Sequence, residues 1–145
     1  MVIDGFEFPE DLYYDDHHQY ARVEGDLVTT GLSAYAQSAA KAIVYVELPR
    51  RGRKVEQGKP LGSIESGKWV GRLFAVVSGE VVEANGKLED DPELINRDPY
   101  GDGWVVRLKV ADAAQLGTLR RCTDAGFAAW FSAEVAKNRQ AAGGK

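Results

Sequence analysis

Short stretches in which apolar and polar residues alternate, each closed by glycine, proline or an acidic residue, constrain this chain more than any other feature. They run Tyr20–Val23, Leu27–Gly31, Ile43–Leu48, Leu61–Ile64, Trp69–Phe74, Glu80–Ala84 and Trp104–Val110. Alternation with period two puts one side of a stretch in a core and the other in water, which is the pattern of half-buried strands. The chain has 145 residues, a length that suggests one domain able to bury a core without cross-links. The expectation is a mainly β sandwich or flattened barrel over residues 1–140, with a small, polar, disordered tail at 141–145.

Helical additions are predicted at three places. Ser33–Lys41 has Ser33 to cap the first turn and Tyr35, Ala36, Ala39 and Ala40 on one face. A short turn of helix is expected over Asp91–Ile95, with Pro92 just inside its start. After the last strand, Phe127, Trp130, Phe131 and Val135 recur at helical spacing behind Thr123 and Asp124, expected as cap and dipole partner. A weak repeat, Val55-Glu56-Gln57-Gly58-Lys59-Pro60-Leu61 against Val82-Glu83-Ala84-Asn85-Gly86-Lys87-Leu88, reads as strand, glycine turn and strand met twice. Two equivalent β units packed face to face explain it, and so does ordinary hairpin chemistry met by chance.

Charge and cysteine content exclude several functions. Lys plus Arg number 18 against 22 Asp plus Glu, a formal net charge of −4. A chain that coats nucleic acid needs clustered positive charge, and the one cationic cluster, Arg50, Arg51, Arg53 and Lys54, is too local to supply it. A single cysteine, Cys122, excludes an internal disulfide framework and a cysteine-cluster metal site. It reads as a packing residue, although a nearby helix start could favour its thiolate. No apolar run is long enough to span a membrane, and Met1–Glu10 is acidic where a signal peptide is basic. The expected location is therefore cytoplasmic.

Catalytic constellations are thin. His17 and His18 are adjacent, so they point different ways, and no further ligand stands at metal-binding spacing; both read as surface residues. Glu89, Asp90, Asp91 and Glu93 form an acidic cluster that reads as a solvated loop and helix start, or a docking surface for a basic partner. One lysine stands out. Glu65-Ser66-Gly67-Lys68 lies between two strand candidates, and its Ser-Gly turn places Lys68 at or beside a hairpin tip. Gly62–Lys68 fits seven positions of the phosphate-binding G-x-x-x-x-G-K-[ST] loop. Trp69 then lacks the hydroxyl for magnesium, Glu65 would sit in the phosphate cradle, and no helix follows. The nucleotide reading is rejected.

Taken in order, Arg22-Val23-Glu24-Gly25-Asp26, Tyr35-Ala36-Gln37, Val46-Glu47-Leu48-Pro49, Glu65-Ser66-Gly67-Lys68, Val77–Asn85, Leu88–Asn96 and Asp98–Trp104 resemble the glycine cleavage system H-protein family of lipoyl carriers. The resemblance runs from about Tyr20 to Val110 without large gaps. It implies a lipoyl-domain-type β sandwich with flanking N-terminal and C-terminal helices. It also implies lipoic acid joined by an amide to Lys68, with Glu65, Ser66 and Gly67 read by the modifying lipoate ligase or lipoyl transferase. Such a chain is a carrier and not an enzyme, its arm supplying chemistry that the polypeptide lacks. Biotin carriers share the architecture, but their lysine is usually flanked by methionines, whereas Gly67 and Trp69 stand here. A non-lipoylated interaction protein of the same fold is disfavoured by the intact Glu65, Ser66 and Lys68.

Departures from the family pattern occur at Gly67, Trp69, Arg72, Val76, Lys41-Ala42 and Tyr20. They are expected around the arm and on partner-facing surface, as when a carrier is kept while its clients change. That expectation leans toward a divergent carrier of sulfur oxidation, serving a heterodisulfide-reductase-like complex. The alternative is the conventional carrier between glycine decarboxylase and aminomethyltransferase, reoxidised by dihydrolipoamide dehydrogenase.

Overall fold

The computed structural model describes residues 1–67 and 69–143. In chain order the elements are β1 (Val2–Ile3), β2 (Phe6–Glu7), β3 (Tyr13–Tyr14), β4 (Gln19–Glu24), β5 (Leu27–Leu32), α1 (Ala34–Ala40), β6 (Ile43–Glu47), β7 (Lys54–Val55), β8 (Pro60–Ser66), β9 (Val70–Phe74), β10 (Gly79–Ala84), α2 (Lys87–Asp90), α3 (Leu94–Arg97), β11 (Val106–Val110), a 3-10 helix (Ala113–Thr118) and α4 (Phe127–Gly143). A six-stranded sheet has the order β3-β4-β5-β11-β10-β7, and a three-stranded sheet has the order β6-β8-β9. Strands β1 and β2 form a separate ribbon. The mainly β architecture with flanking helices is the one the alternation predicts.

Two clusters of side chains hold it together. Val28, Ile43, Val46, Leu61, Ile64, Leu73, Val81 and Leu108 belong to one continuous core. Each large aliphatic side chain buried there contributes roughly 1.5–3 kcal/mol of transfer free energy. An aromatic cluster of Phe8, Leu12, Tyr14, Tyr20, Tyr35, Cys122, Phe127 and Phe131 ties the N-terminal segments to α4. Phe8 meets Phe131 edge to face at 4.8 Å and Phe127 at 5.3 Å, a geometry suited to ring quadrupoles.

Local chemistry explains several boundaries. Gly25, at φ +64, opens the two-residue connection between Glu24 and Leu27, which are paired across β4 and β5. Ser33 caps α1 as expected, its Oγ accepting from the Ala36 N–H at 3.2 Å. Thr123, expected as the cap, lies four residues before the start of α4 at Phe127, and the first turn holds no acidic residue to stand as the dipole partner expected of Asp124. The Asp124 carboxylate takes the Arg121 N–H at 2.8 Å, closing the turn before the helix. Pro92 also lies outside the helix expected around it, because the segment splits into α2 and α3 with Pro92 between them.

The repeat resolves unequally. In the first copy Gly58, at φ +81, turns the chain from β7 into β8. In the second copy Gly86 has an ordinary helical φ of −61 and leads into α2, where Leu88 is buried. The two units are therefore not equivalent. Helix α4 runs through Gly143, so part of the tail expected to be disordered is helical, and Gly144 and Lys145 lie outside the described residues.

Candidate functional site

The expected site is the turn between β8 and β9. Lys68 itself lies outside the described residues, and what can be described is the frame around it. The Ser66 N–H donates to the Trp69 carbonyl at 2.8 Å, closing the turn. Ser66 is buried, Glu65 is half-buried and Gly67 is exposed. A Cβ built on Gly67 would meet nothing within 4 Å, so space is open beside the turn. This frame fits a long group attached at the tip.

Strand β8 is the middle strand of its sheet, paired with β6 on one side and β9 on the other. Its Leu61 and Ile64 enter the core, while β6 approaches so closely that a Cβ on Gly62 would lie 2.4 Å from the Glu47 carbonyl oxygen. The base of β9 is held by Gln19, which bonds both backbone groups of Phe74. The start of β6 is held by Asn96. Its Oδ1 accepts the Ile43 N–H at 2.9 Å, and its Nδ2 donates to the Lys41 carbonyl at 2.8 Å. Asn85 plays the same part beyond β10, donating to the carbonyls of Asp102 and Trp104 at 2.8 and 2.7 Å. Sequence reasoning finds Asn85 and Asn96 only as motif residues and misses Gln19; a polar residue in an otherwise apolar-facing stretch is the available signal.

A cleft of about 380 Å³ lies beside the turn, between β9 and α1. Trp69, Arg72, Phe74, His17, His18 and Tyr35 are among its walls. The Trp69 indole folds back over Gly71, where any Cβ would overlap it. His17 stacks on Phe74 with ring centroids 3.9 Å apart, and the Asp15 carboxylate, 3.7 Å from its Nδ1, raises its pKa above the ordinary imidazole value.

His18 departs from the surface placement expected for both histidines. It is largely buried, stacked on Trp130 and edge-on to Tyr35, with φ +63. Its Nε2 lies 3.3 Å from the Glu134 carboxylate but without the alignment of a hydrogen bond. Burial lowers its pKa, outweighing the opposing pull of Glu134. The imidazole is thus kept neutral near pH 7, and the contact with Glu134 is not a salt bridge there.

Other candidates resolve simply. Cys122 is buried in the aromatic cluster, Sγ donating to the Phe8 carbonyl at 3.4 Å, and burial pushes its thiol pKa up, opposite to helix-start activation. Glu89, Asp90 and Glu93 are exposed, while Asp91 is partly buried and pairs with Arg97. Two departures expected on partner-facing surface are instead interior: Val76 is buried, and Tyr20 is buried with its hydroxyl donating to the Pro99 carbonyl at 2.7 Å. Among the described residues, no group of three or more His, Cys, Asp or Glu could hold a metal ion, and no helix is long and apolar enough to cross a membrane.

The frame matches known carriers. The family model described as glycine cleavage H-protein matches residues 12–126. A glycine cleavage system H protein of Thermus thermophilus is 47% identical over 120 residues, covering 83% of this chain and 91% of that protein. That of Rubrobacter xylanophilus is 46% identical over 110 residues, covering 76% and 87%. The crystal structure of a glycine cleavage system H protein from Mycobacterium marinum superimposes with a TM-score of 0.69 at 32% identity, covering 77% of this chain and 97% of that one. The lean toward sulfur oxidation finds no support in these relatives and is corrected: the conventional alternative fits them better. With two thirds and more of the chain aligned to such proteins, it belongs to the glycine cleavage H-protein family, as a carrier subunit and not a catalyst.

Proposed function

We propose that this chain is the lipoyl carrier of a glycine cleavage system, with lipoic acid joined by an amide to Lys68 and an aminomethyl group passed from glycine decarboxylase to aminomethyltransferase. A lipoate ligase or lipoyl transferase attaches the arm, dihydrolipoamide dehydrogenase reoxidises it, and the proteins meet in the cytoplasm. When attached, lipoate supplies the disulfide–dithiol couple and the sulfur that holds the carried group. The chain's own residues supply placement. The observation that carries this reading is the turn closed by Ser66 and Trp69 on a strand paired on both sides, which offers a fixed base for a flexible arm. Glu65 and Ser66 stand immediately before that turn, where a modifying enzyme can read them.

The test has two stages. Intact mass after incubation with lipoate, ATP and a lipoate ligase should rise by one lipoyl group, and Lys68→Arg should abolish the gain, since the guanidinium does not form this amide. The lipoylated protein should then accept an aminomethyl group from glycine through the decarboxylase of the same organism. A mass gain that survives Lys68→Arg would remove the attachment site. Failure of aminomethyl loading by fully lipoylated protein would remove the glycine-cleavage assignment.

A further inference from the structure

The cleft between β9 and α1 joins an apolar interior to one unpartnered guanidinium. Leu32, Ala36, Ala40 and Ile64 supply aliphatic wall, and Phe74 and Trp69 supply rings. Glycine at position 71 lets the Trp69 ring lie against β9 and form this wall, since any Cβ there would overlap it. A volume of about 380 Å³ lies in the range of small-molecule sites, which are mostly apolar with a few placed polar groups. Most polar groups of the cleft already have neighbours. Both amide atoms of Gln19 are bonded to Phe74, and the Tyr35 hydroxyl accepts from the Asn138 Nδ2 at 3.0 Å. His18 is stacked on Trp130 beside Glu134, and His17 on Phe74 beside Asp15. Arg72 differs. Arg97, Arg107 and Arg120 have carboxylate partners in Asp91, Glu83 and Asp16, whereas Arg72 has no hydrogen bond or ion pair among the described residues. Asp15 and Glu134 reach the two histidines, but no carboxylate stands among the described walls of the cleft.

We propose that this cleft binds a free carboxylate carried on a short apolar chain, with Arg72 meeting the carboxylate and the aliphatic and aromatic walls taking the chain. A guanidinium presents paired N–H donors that match the two oxygens of a carboxylate. The apolar walls favour a ligand with a hydrocarbon body over a bare anion, because only apolar surface gains by leaving water there. The absence of a carboxylate wall rejects the opposite charge. An ammonium placed in the cleft meets Arg72 and no anion, and like charges repel more strongly in a partly enclosed site than in water. The net charge of −4 opposes anion binding by the chain as a whole, so a preference for the anion has to come from this local arrangement. Such a site is independent of amide formation at Lys68 and stands or falls apart from the carrier reading.

The experiment titrates the full chain, without lipoate, with octanoate, octanamide and octylammonium, and follows the Trp69 indole N–H and the Arg72 Nε–H by NMR. Octanoate should shift both signals saturably and bind about tenfold more tightly than octanamide, the gain expected of a hydrogen bond between charged groups. Octylammonium should bind more weakly than either. Arg72→Gln should remove the advantage of octanoate over octanamide, and Arg72→Glu should reverse the order of octanoate and octylammonium. Arg72 is exposed, so both variants should keep the fold. Ala39→Phe, at an exposed wall position of α1, should weaken octanoate and octanamide alike by filling the cleft. Arg51→Gln removes the same charge from the connection between β6 and β7 and should change nothing. Octanoate that leaves Trp69 unshifted, that binds no better than octanamide or octylammonium, or that binds Ala39→Phe as it does wild type overturns the site. A preference for octanoate that survives Arg72→Gln, or that is lost equally in Arg51→Gln, overturns it too, because the charge would then be read elsewhere.

Discussion

The side-chain amide of Gln19 is paired in both directions with the backbone of Phe74: Nε2 donates to the Phe74 carbonyl at 2.6 Å, and the Phe74 N–H donates to Oε1 at 2.8 Å. The two residues are 55 positions apart. Through them the six-stranded sheet, at β4, grips the end of β9 as an extra ladder rung would. Gln19 is buried, so both bonds are sheltered from water.

Gln19→Ala leaves one donor and one acceptor of Phe74 without partners. An orphaned buried polar group costs roughly 1–3 kcal/mol, so the melting temperature should fall by several degrees. Gln19→Glu should be worse at neutral pH, because a carboxylate cannot donate to the Phe74 carbonyl, and should recover as the pH falls and the carboxyl protonates. Thermal unfolding across pH checks both, and equal stability of wild type and Gln19→Glu at pH 7 would refute the two-way pairing.

Gly62 and Gly67, five positions apart in one hairpin, should respond oppositely to alanine. At Gly62 the new Cβ would lie 2.4 Å from the Glu47 carbonyl oxygen, so β6 and β8 must part. Overpacking of this kind costs about 1–3 kcal/mol. At Gly67 the Cβ would meet nothing within 4 Å. Urea unfolding should show a lowered midpoint for Gly62→Ala and an unchanged one for Gly67→Ala.

The adjacent histidines should titrate apart. His17 is raised from 6.5 by the Asp15 carboxylate 3.7 Å from its Nδ1, so that contact stabilises the fold fully below pH 6.5 and is lost as pH rises through the folded value. His18 is lowered from 6.5 by burial, against Glu134, Asp15 and Asp16, so the unfolded chain binds its proton more readily. Its effect is a loss of stability that begins as pH falls below 6.5 and levels off beneath the folded value. Imidazole NMR titrations should place His18 below His17. The reverse order would contradict the burial of His18 against Trp130.

Cys122 should be silent in the folded chain. A thiolate-selective reagent should react slowly with native protein at pH 8 and at once in denaturant, because burial both shields the sulfur and raises its pKa. Rapid native labelling would mean that the aromatic cluster opens.

Features whose determinants are neighbours in the chain are legible in the amino-acid sequence. The β4–β5 turn at Gly25, the Ser33 cap and the position of the turn between β8 and β9 depend on a few adjacent residues, and each stands where the pattern puts it. The second copy of the repeat is not legible in this way, because a glycine letter does not state a backbone angle. Gly58 sits at φ +81 and turns into a strand, while Gly86 sits at −61 and enters a helix that buries Leu88.

By itself the amino-acid sequence determined the longer strands, from β4 onward, the segment that carries Lys68 and the family to which that segment belongs, but not the two-residue strands β1, β2 and β3. Alternation, turn residues and an ordered motif are properties of nearby letters. Only the tertiary structure decided which polar side chains close the molecule: Gln19 on Phe74, Asn96 on Ile43 and Lys41, and Asn138 on the Tyr35 hydroxyl across 103 residues. It also decided that one histidine of an adjacent pair is buried and that Tyr45, Glu65 and Val70 share a row. The physical reason is that burial and cross-strand partnership are set by where distant segments meet, and a residue's side chain carries no record of the neighbour it will find.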